Sequence, residues 1–175
     1  MKRLIGLPAV LIALLAVGLP TRVHAQKLFF VFAHGQYASP SQTNFKNNYN
    51  FGAGGEVGAG IGAGKTFFTG TIGYTVFDAK PQPEASTHNL VYVPMKLGIR
   101  RYFFPAKLLF VHADAGVANI KIKGADSHTR FTSDVGAGVK LGPLEAGVAY
   151  EGFSQGDPSG FASWIGFKLG WRFGI

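Results

Sequence analysis

The chain has 175 residues, room for one domain, with 17 basic residues against 9 acidic ones and a net charge of +8. It contains no cysteine, which excludes a disulfide scaffold, a Cys-based zinc site and a lipid-anchored amino terminus. No basic run or other nucleic-acid signature accompanies the charge, so nucleic acid is not an expected partner.

The first 25 residues read as a secretory leader. Lys2 and Arg3 precede an apolar run from Leu4 to Leu19, and Val23 and Ala25 supply the small residues before a predicted cut after Ala25. Pro8 and Pro20 break the run, which is short for a membrane helix of roughly 20 residues. The domain is then 26–175. With Lys2, Arg3 and Arg22 in the leader and its flank, the net charge of the domain falls to +5. Glycine, at 25 residues, is about twice as frequent as the usual 7%.

Eight segments of period two follow. Residues 28–38 are apolar on both faces at first and then carry His34 and Gln36. In the stretch from about 50 to 62, Gly52, Gly54, Gly58, Gly60 and Gly62 share one parity with Glu56. Segment 68–76 sets Phe68, Ile72, Tyr74 and Val76 against three threonines. Segment 91–99 sets Val91, Val93, Met95, Leu97 and Ile99 against Pro94, Lys96 and, just beyond, Arg100. Residues 108–118 place His112, Asp114 and Gly116 opposite Val111, Ala113, Ala115 and Val117. Residues 133–141 place Asp134 and Lys140 opposite Val135, Val139 and Leu141. In 144–150, Leu144, Val148 and Tyr150 oppose Glu145 and, one step on, Glu151. The last, 164–173, is the clearest: Ile165, Phe167, Leu169, Trp171 and Phe173 oppose Gly166, Lys168, Gly170 and Arg172.

Links between these segments alternate between short (63–65, 104–107, 142–143) and longer and polar (39–49, 78–88, 119–130, 153–160), as in an up-and-down meander. No segment reads as a helix, which excludes a βαβ fold. The string from Ala59 through Gly64-Lys65-Thr66 matches a relaxed phosphate-binding loop. However, the β-branched and aromatic residues after Thr66 cannot begin the helix such a loop requires, so no nucleotide is expected.

The fold class is therefore all-β: an eight-stranded antiparallel up-and-down barrel. A soluble lipocalin-like carrier would turn its apolar face inward and show water a face dense in Lys, Glu and Ser; a transmembrane barrel does the reverse. Here the polar face is mostly Gly and Thr with a few charges of both signs. That pattern suits a narrow lumen holding an ion network of Glu56, Lys96, Arg100, His112, Asp114, Asp134, Lys140, Glu145, Glu151, Lys168 and Arg172. Tyr74, Tyr92, Tyr102, Tyr150, Trp164 and Trp171 lie toward strand ends, where an aromatic girdle would sit, although some have inward parity.

The whole domain resembles the small eight-stranded outer-membrane barrels of the OmpA/OmpX kind. Lys168-x-Gly170-x-x-Phe173-x-Ile175 is similar to the carboxyl-terminal signal by which the barrel-assembly machinery recognises such chains, with Ile in place of the usual terminal Phe. The segment VPMKLGIRRYFF, residues 93–104, resembles one common in these barrels. The resemblance implies a non-enzymatic structural or surface-interaction module of the outer membrane, monomeric, in contact with membrane lipid and lipopolysaccharide, with four loops outside the cell and no cofactor.

Other chemistry is weaker. A lipid A-modifying barrel enzyme of the deacylase type resembles a His-x-Ser pair, but Gly152 stands where Ser154 would need its base. His112 and Asp114 could form a general-base pair or half a metal site, and His34 reads as lumenal filling. Lys121, Lys123, His128 and Arg130 cluster in the third long loop, where they could grip lipopolysaccharide phosphates or an acidic partner. An eight-stranded interior is too narrow for a continuous pore.

Overall fold

The computed structural model describes residues 27–81, 88–104, 108–122, 126–156 and 160–174. The expected leader, residues 1–25, lies outside them. The elements in chain order are β1 (Lys27–Pro40), α1 (Thr43–Asn48), β2 (Tyr49–Ala63), β3 (Thr66–Ala79), β4 (Leu90–Phe103), β5 (Leu109–Ile122), β6 (His128–Leu141), β7 (Leu144–Ser154) and β8 (Phe161–Gly174). Each strand pairs antiparallel with its neighbours in sequence, and β1 closes on β8 from Phe30↔Gly174 to Pro40↔Trp164. Closure leaves no free sheet edge, so backbone N–H and C=O groups along the wall find partners within it.

Turn chemistry fixes the register at one end. β2 and β3 are joined by Gly64-Lys65, and β6 and β7 by Gly142-Pro143, with each glycine at φ +63°. A glycine at positive φ in the first central position gives a two-residue turn whose twist matches the flanking strands. The string that resembled a phosphate loop runs along the end of β2, through this turn and into β3. It has no helix to bind a phosphate.

Two elements depart from expectation. The first long connection holds a six-residue helix, α1, capped by Gln42, whose Oε1 accepts from the Phe45 N–H at 2.8 Å. The strands also run further toward the long loops than periodicity indicated. β6 begins at His128, five residues before the alternating segment, so His128 and Arg130 lie on a strand, as does Lys121 at the end of β5. Lys123 lies outside the described residues.

The two faces of the wall are opposite in character. Thirty large hydrophobic side chains among the described residues are exposed on the outside, including Ile72, Leu97, Val135, Ile165, Phe167 and Leu169. Inside, three layers are stacked along the axis. At the short-turn end Phe30, Phe32, Phe67, Tyr102 and Phe110 form an aromatic plug. At the long-loop end Phe45 of α1 packs with Tyr49, Phe77, Leu90, Tyr92, Phe153 and Trp164 in a second apolar plug. Charged side chains fill the space between.

These plugs correct the girdle. Tyr92, Tyr102 and Trp164 are fully buried in the lumen, while Tyr74, Tyr150 and Trp171 face outward with Tyr37 and Phe51. They also explain the glycine face of β2 and the doubly apolar start of β1. A Cβ at Gly58 or Gly60 would strike the ring of Phe32 or Phe30, so the emptied face of one strand receives the inward rings of the other.

Leu169 lies near the middle of β8 and is 64% exposed. Leu169→Arg should cost roughly 2–4 kcal/mol of stability in bilayers, as a charge near the hydrocarbon midplane does. Denaturant unfolding of protein reconstituted in vesicles measures it, and an unchanged midpoint counts against the outward parity.

Candidate functional site

The lumen's middle layer draws polar side chains from all eight strands. Each arrives on the parity opposite to the exposed hydrophobics, so a strand's period of two delivers it to the axis. Lys96 of β4 donates to Asp134 of β6 and to Glu151 Oε1 of β7, the latter at 2.7 Å. Lys168 of β8 donates to Glu56 Oε2 of β2 at 2.8 Å and lies 3.8 Å from both Asp134 and Glu151. Toward the short turns, Arg100 Nη1 donates to Glu145 Oε2 at 2.8 Å, and Arg172 Nε lies 3.8 Å from Glu145 Oε1.

His34 joins the two halves. Its Nδ1 is 3.2 Å from Glu56 Oε1 and its Nε2 is 3.3 Å from Glu145 Oε2. Five carboxylates, from Glu56, Asp114, Asp134, Glu145 and Glu151, face four permanent cations and two histidines. His34, between two carboxylates, bridges Glu56 and Glu145 across the layer.

Neutral groups complete the layer. Gln36 Nε2 donates to Glu151 Oε2 at 3.1 Å, and Thr69 Oγ1 donates to Asp114 Oδ1 at 3.0 Å. Tyrosines tie it to both plugs: Tyr92 donates to Glu151 Oε1 at 3.2 Å and Tyr102 to Glu145 Oε1 at 2.9 Å. The guanidinium carbon of Arg100 sits 4.6 Å from the Phe32 ring centroid and 4.7 Å from that of Phe110, and that of Arg172 sits 4.1 Å from Phe30. These planar cations stack on the lower plug while their edges serve Glu145.

Of the eleven residues expected in this network, Lys140 stands apart. It lies beside the Gly142 turn, half-buried and opposite Glu145 in register, but Glu145 is engaged by Arg100 and Tyr102. A lysine at a strand end can carry its flexible stem to water, which spares it burial. His34, expected as lumenal filling, joins the ion network itself, and Gln36, Thr69, Tyr92 and Tyr102 are members beyond the expected eleven. Their parity was visible, since Tyr92 and Tyr102 share the even positions of Lys96 and Arg100, but aromatic residues near strand ends suggested the membrane interface instead.

His112 Nε2 lies 3.3 Å from Asp134 Oδ1 and 4.0 Å from Asp114 Oδ2, and one ligand atom from each of the three residues falls within 4.8 Å of the others. Asp134 is already bonded to Lys96 and Asp114 to Thr69, so the trio reads as part of the ion network. Ser154, at the end of β7, accepts from the Gly156 N–H at 3.4 Å and has no base bonded to it among the described residues. In the carboxyl-terminal pattern, Lys168 and Gly170 point inward and Phe173 outward, while Ile175 lies outside the described residues.

The middle layer leaves almost no free space. A lumenal cavity beside His34, Glu56, Arg100 and Glu145 measures about 10 Å³, roughly the least that admits one water. Lys96→Met removes the cation bonded to both Asp134 and Glu151 and leaves these buried carboxylates only the longer contact to Lys168, 3.8 Å from each. It should destabilise the barrel by about 3–5 kcal/mol in guanidinium unfolding, whereas a loss below about 1 kcal/mol contradicts the network's role.

No family model matches the chain, and no curated protein matches it in sequence. Solved structures do match in fold. The attachment invasion locus protein Ail of Yersinia pestis superposes with a TM-score of 0.50 at 11% identity, covering 86% of this chain and all of that one. The outer membrane protein OprG of Pseudomonas aeruginosa gives 0.52 at 10% identity, covering 87% and 97%. The amino-terminal β-barrel domain of OprF, also from Pseudomonas aeruginosa, gives 0.50 at 14% identity, covering 86% and 100%. With eight antiparallel strands closed in up-and-down order, this chain has the fold of the small outer-membrane β-barrels.

Proposed function

We propose that residues 26–175 form a non-enzymatic barrel spanning an outer membrane after removal of the leader at 1–25. Its short turns would face the periplasm and its longer loops the exterior. One observation carries this reading: the wall is apolar outside and ionic inside. Water cannot solvate the continuous hydrophobic exterior favourably, whereas hydrocarbon can, and the buried charges satisfy one another. A lipocalin-like carrier needs the opposite arrangement and a central ligand cavity.

Outward aromatics support the same placement. Tyr37, Phe51, Tyr74 and Tyr150 lie toward the loop end, and Phe29, Phe68, Trp171 and Phe173 toward the turn end, two levels at which interfacial rings anchor a barrel. Strands of 11 to 15 residues exceed the roughly 9–11 needed to cross the hydrocarbon layer at a tilt. Lys121, exposed at the loop end, would contact lipopolysaccharide phosphates, with Arg130 nearby at the barrel mouth, and Lys168, Gly170, Phe173 and Ile175 would serve the assembly machinery. The chain would act as a monomer.

The filled lumen argues for a structural or surface-interaction role over transport or catalysis. Its charged groups are paired across the axis, and an aromatic plug closes each end. In planar bilayers the purified protein should show no stable channels of porin size, and in gels the unboiled form should migrate differently from the boiled one. Recovery in the aqueous fraction without detergent, or stable porin-like conductance, overturns the proposal.

A further inference from the structure

Above the loop-end plug the barrel mouth holds a cavity of about 380 Å³, distinct from the ionic layer and used by none of the interactions described so far. Its floor is apolar: Phe45 of α1, Tyr49 of β2, Leu90 of β4, Ile120 of β5 and Phe153 of β7. Edge-to-face and tilted ring contacts hold that floor in place. Phe45 lies 4.8 Å from Tyr49, 6.0 Å from Phe153 and 5.9 Å from Trp164, centroid to centroid, so the surface is pre-formed by the plug beneath it.

The rim is polar and carries two basic side chains, Arg130 and His128, against one acid, Asp126. Arg130 is the half-buried one. Its guanidinium lies against the backbone of Gly156, where an added Cβ would sit 2.5 Å from Nη1. Gly156 also has φ +88°, a conformation that disfavours any other residue, so the chain is bare where the guanidinium rests. Neither Arg130 nor Asp126 has an ion-pair partner within 4 Å among the described residues.

An apolar floor of this size with a few polar groups converging on one side is the form of a small-molecule site, for which volumes of roughly 300–1,000 Å³ are typical. We propose that the mouth binds a small amphipathic organic anion, its apolar body on the Phe45–Phe153 floor and its carboxylate or sulfate on Arg130. Arginine supplies the planar fork that such a head group needs, and partial burial strengthens the pair. The cavity is too small for a lipid with several acyl chains. The plug and ionic layer beneath it block passage, so the ligand is held at the mouth rather than transported.

The test uses the mature barrel in lipid nanodiscs, titrated with 4-phenylbutyrate and, separately, its cationic counterpart 4-phenylbutylamine, followed by calorimetry and saturation-transfer NMR. The anion should bind saturably at one site and the amine at least tenfold more weakly. Arg130→Gln should weaken the anion at least tenfold, and Leu90→Trp, which fills the floor, should abolish saturable binding. Gel heat-modifiability shows that each variant has folded, and Arg130→Gln, at the rim, leaves the plugs intact. Linear partitioning into lipid, equal affinity for the amine, or anion binding unchanged by Arg130→Gln overturns the site.

Discussion

Burying charge on the axis of a narrow cylinder costs several kcal/mol per ion unless each group meets an opposite charge and fills its hydrogen bonds. The rest of this barrel follows from meeting that demand. Each strand offers a short series of inward positions, and β2, β4, β6, β7 and β8 use theirs to bring Glu56, Lys96, Asp134, Glu151 and Lys168 to one level. Because these partners come from different strands, the lattice sets wall register as well as lumen content. A one-residue slip would turn every one of these charges to the outside.

The plugs limit how far the ionic layer must extend. Aromatic rings take over where the lumen approaches either mouth, and they meet the ions through groups that belong to both chemistries. Tyr92 and Tyr102 bury their rings in a plug and give their hydroxyls to Glu151 and Glu145. Arg100 and Arg172 stack on rings and pair with Glu145. The interior therefore passes from apolar to charged through side chains that belong to both layers. A helix of six residues finishes the outer end by lowering Phe45 onto the plug.

Much of this was legible in the chain because a β-strand records its environment in alternate residues. The sequence 164–173 shows both faces of β8 without ambiguity, and the same parity marked Lys96, Arg100, Asp114, Asp134 and Glu151 as inward. Parity says nothing of depth, however. Tyr92, Tyr102 and Trp164 read as interfacial anchors because aromatic residues near strand ends have two uses, plug and girdle, and only the partner strands decide between them. Lys140 had the correct parity but sits where the strand end lets its stem escape. α1 was invisible because six residues with one buried side chain carry no helical period. The mouth cavity depends on Phe45, Leu90 and Phe153 converging from distant parts of the chain, which no local pattern can show.

The central claim is that hydrophobic side chains face hydrocarbon while paired charges fill the axis, and the absence of cysteine makes it directly testable. Single cysteines placed in turn at residues 165 to 170 can carry nitroxide labels, and paramagnetic resonance in bilayers then measures their collisions with oxygen and with a water-soluble nickel chelate. The account predicts high oxygen and low nickel accessibility at 165, 167 and 169, and low accessibility to both at 166, 168 and 170. Nickel-accessible labels at 165, 167 and 169, or the reverse alternation, would contradict it.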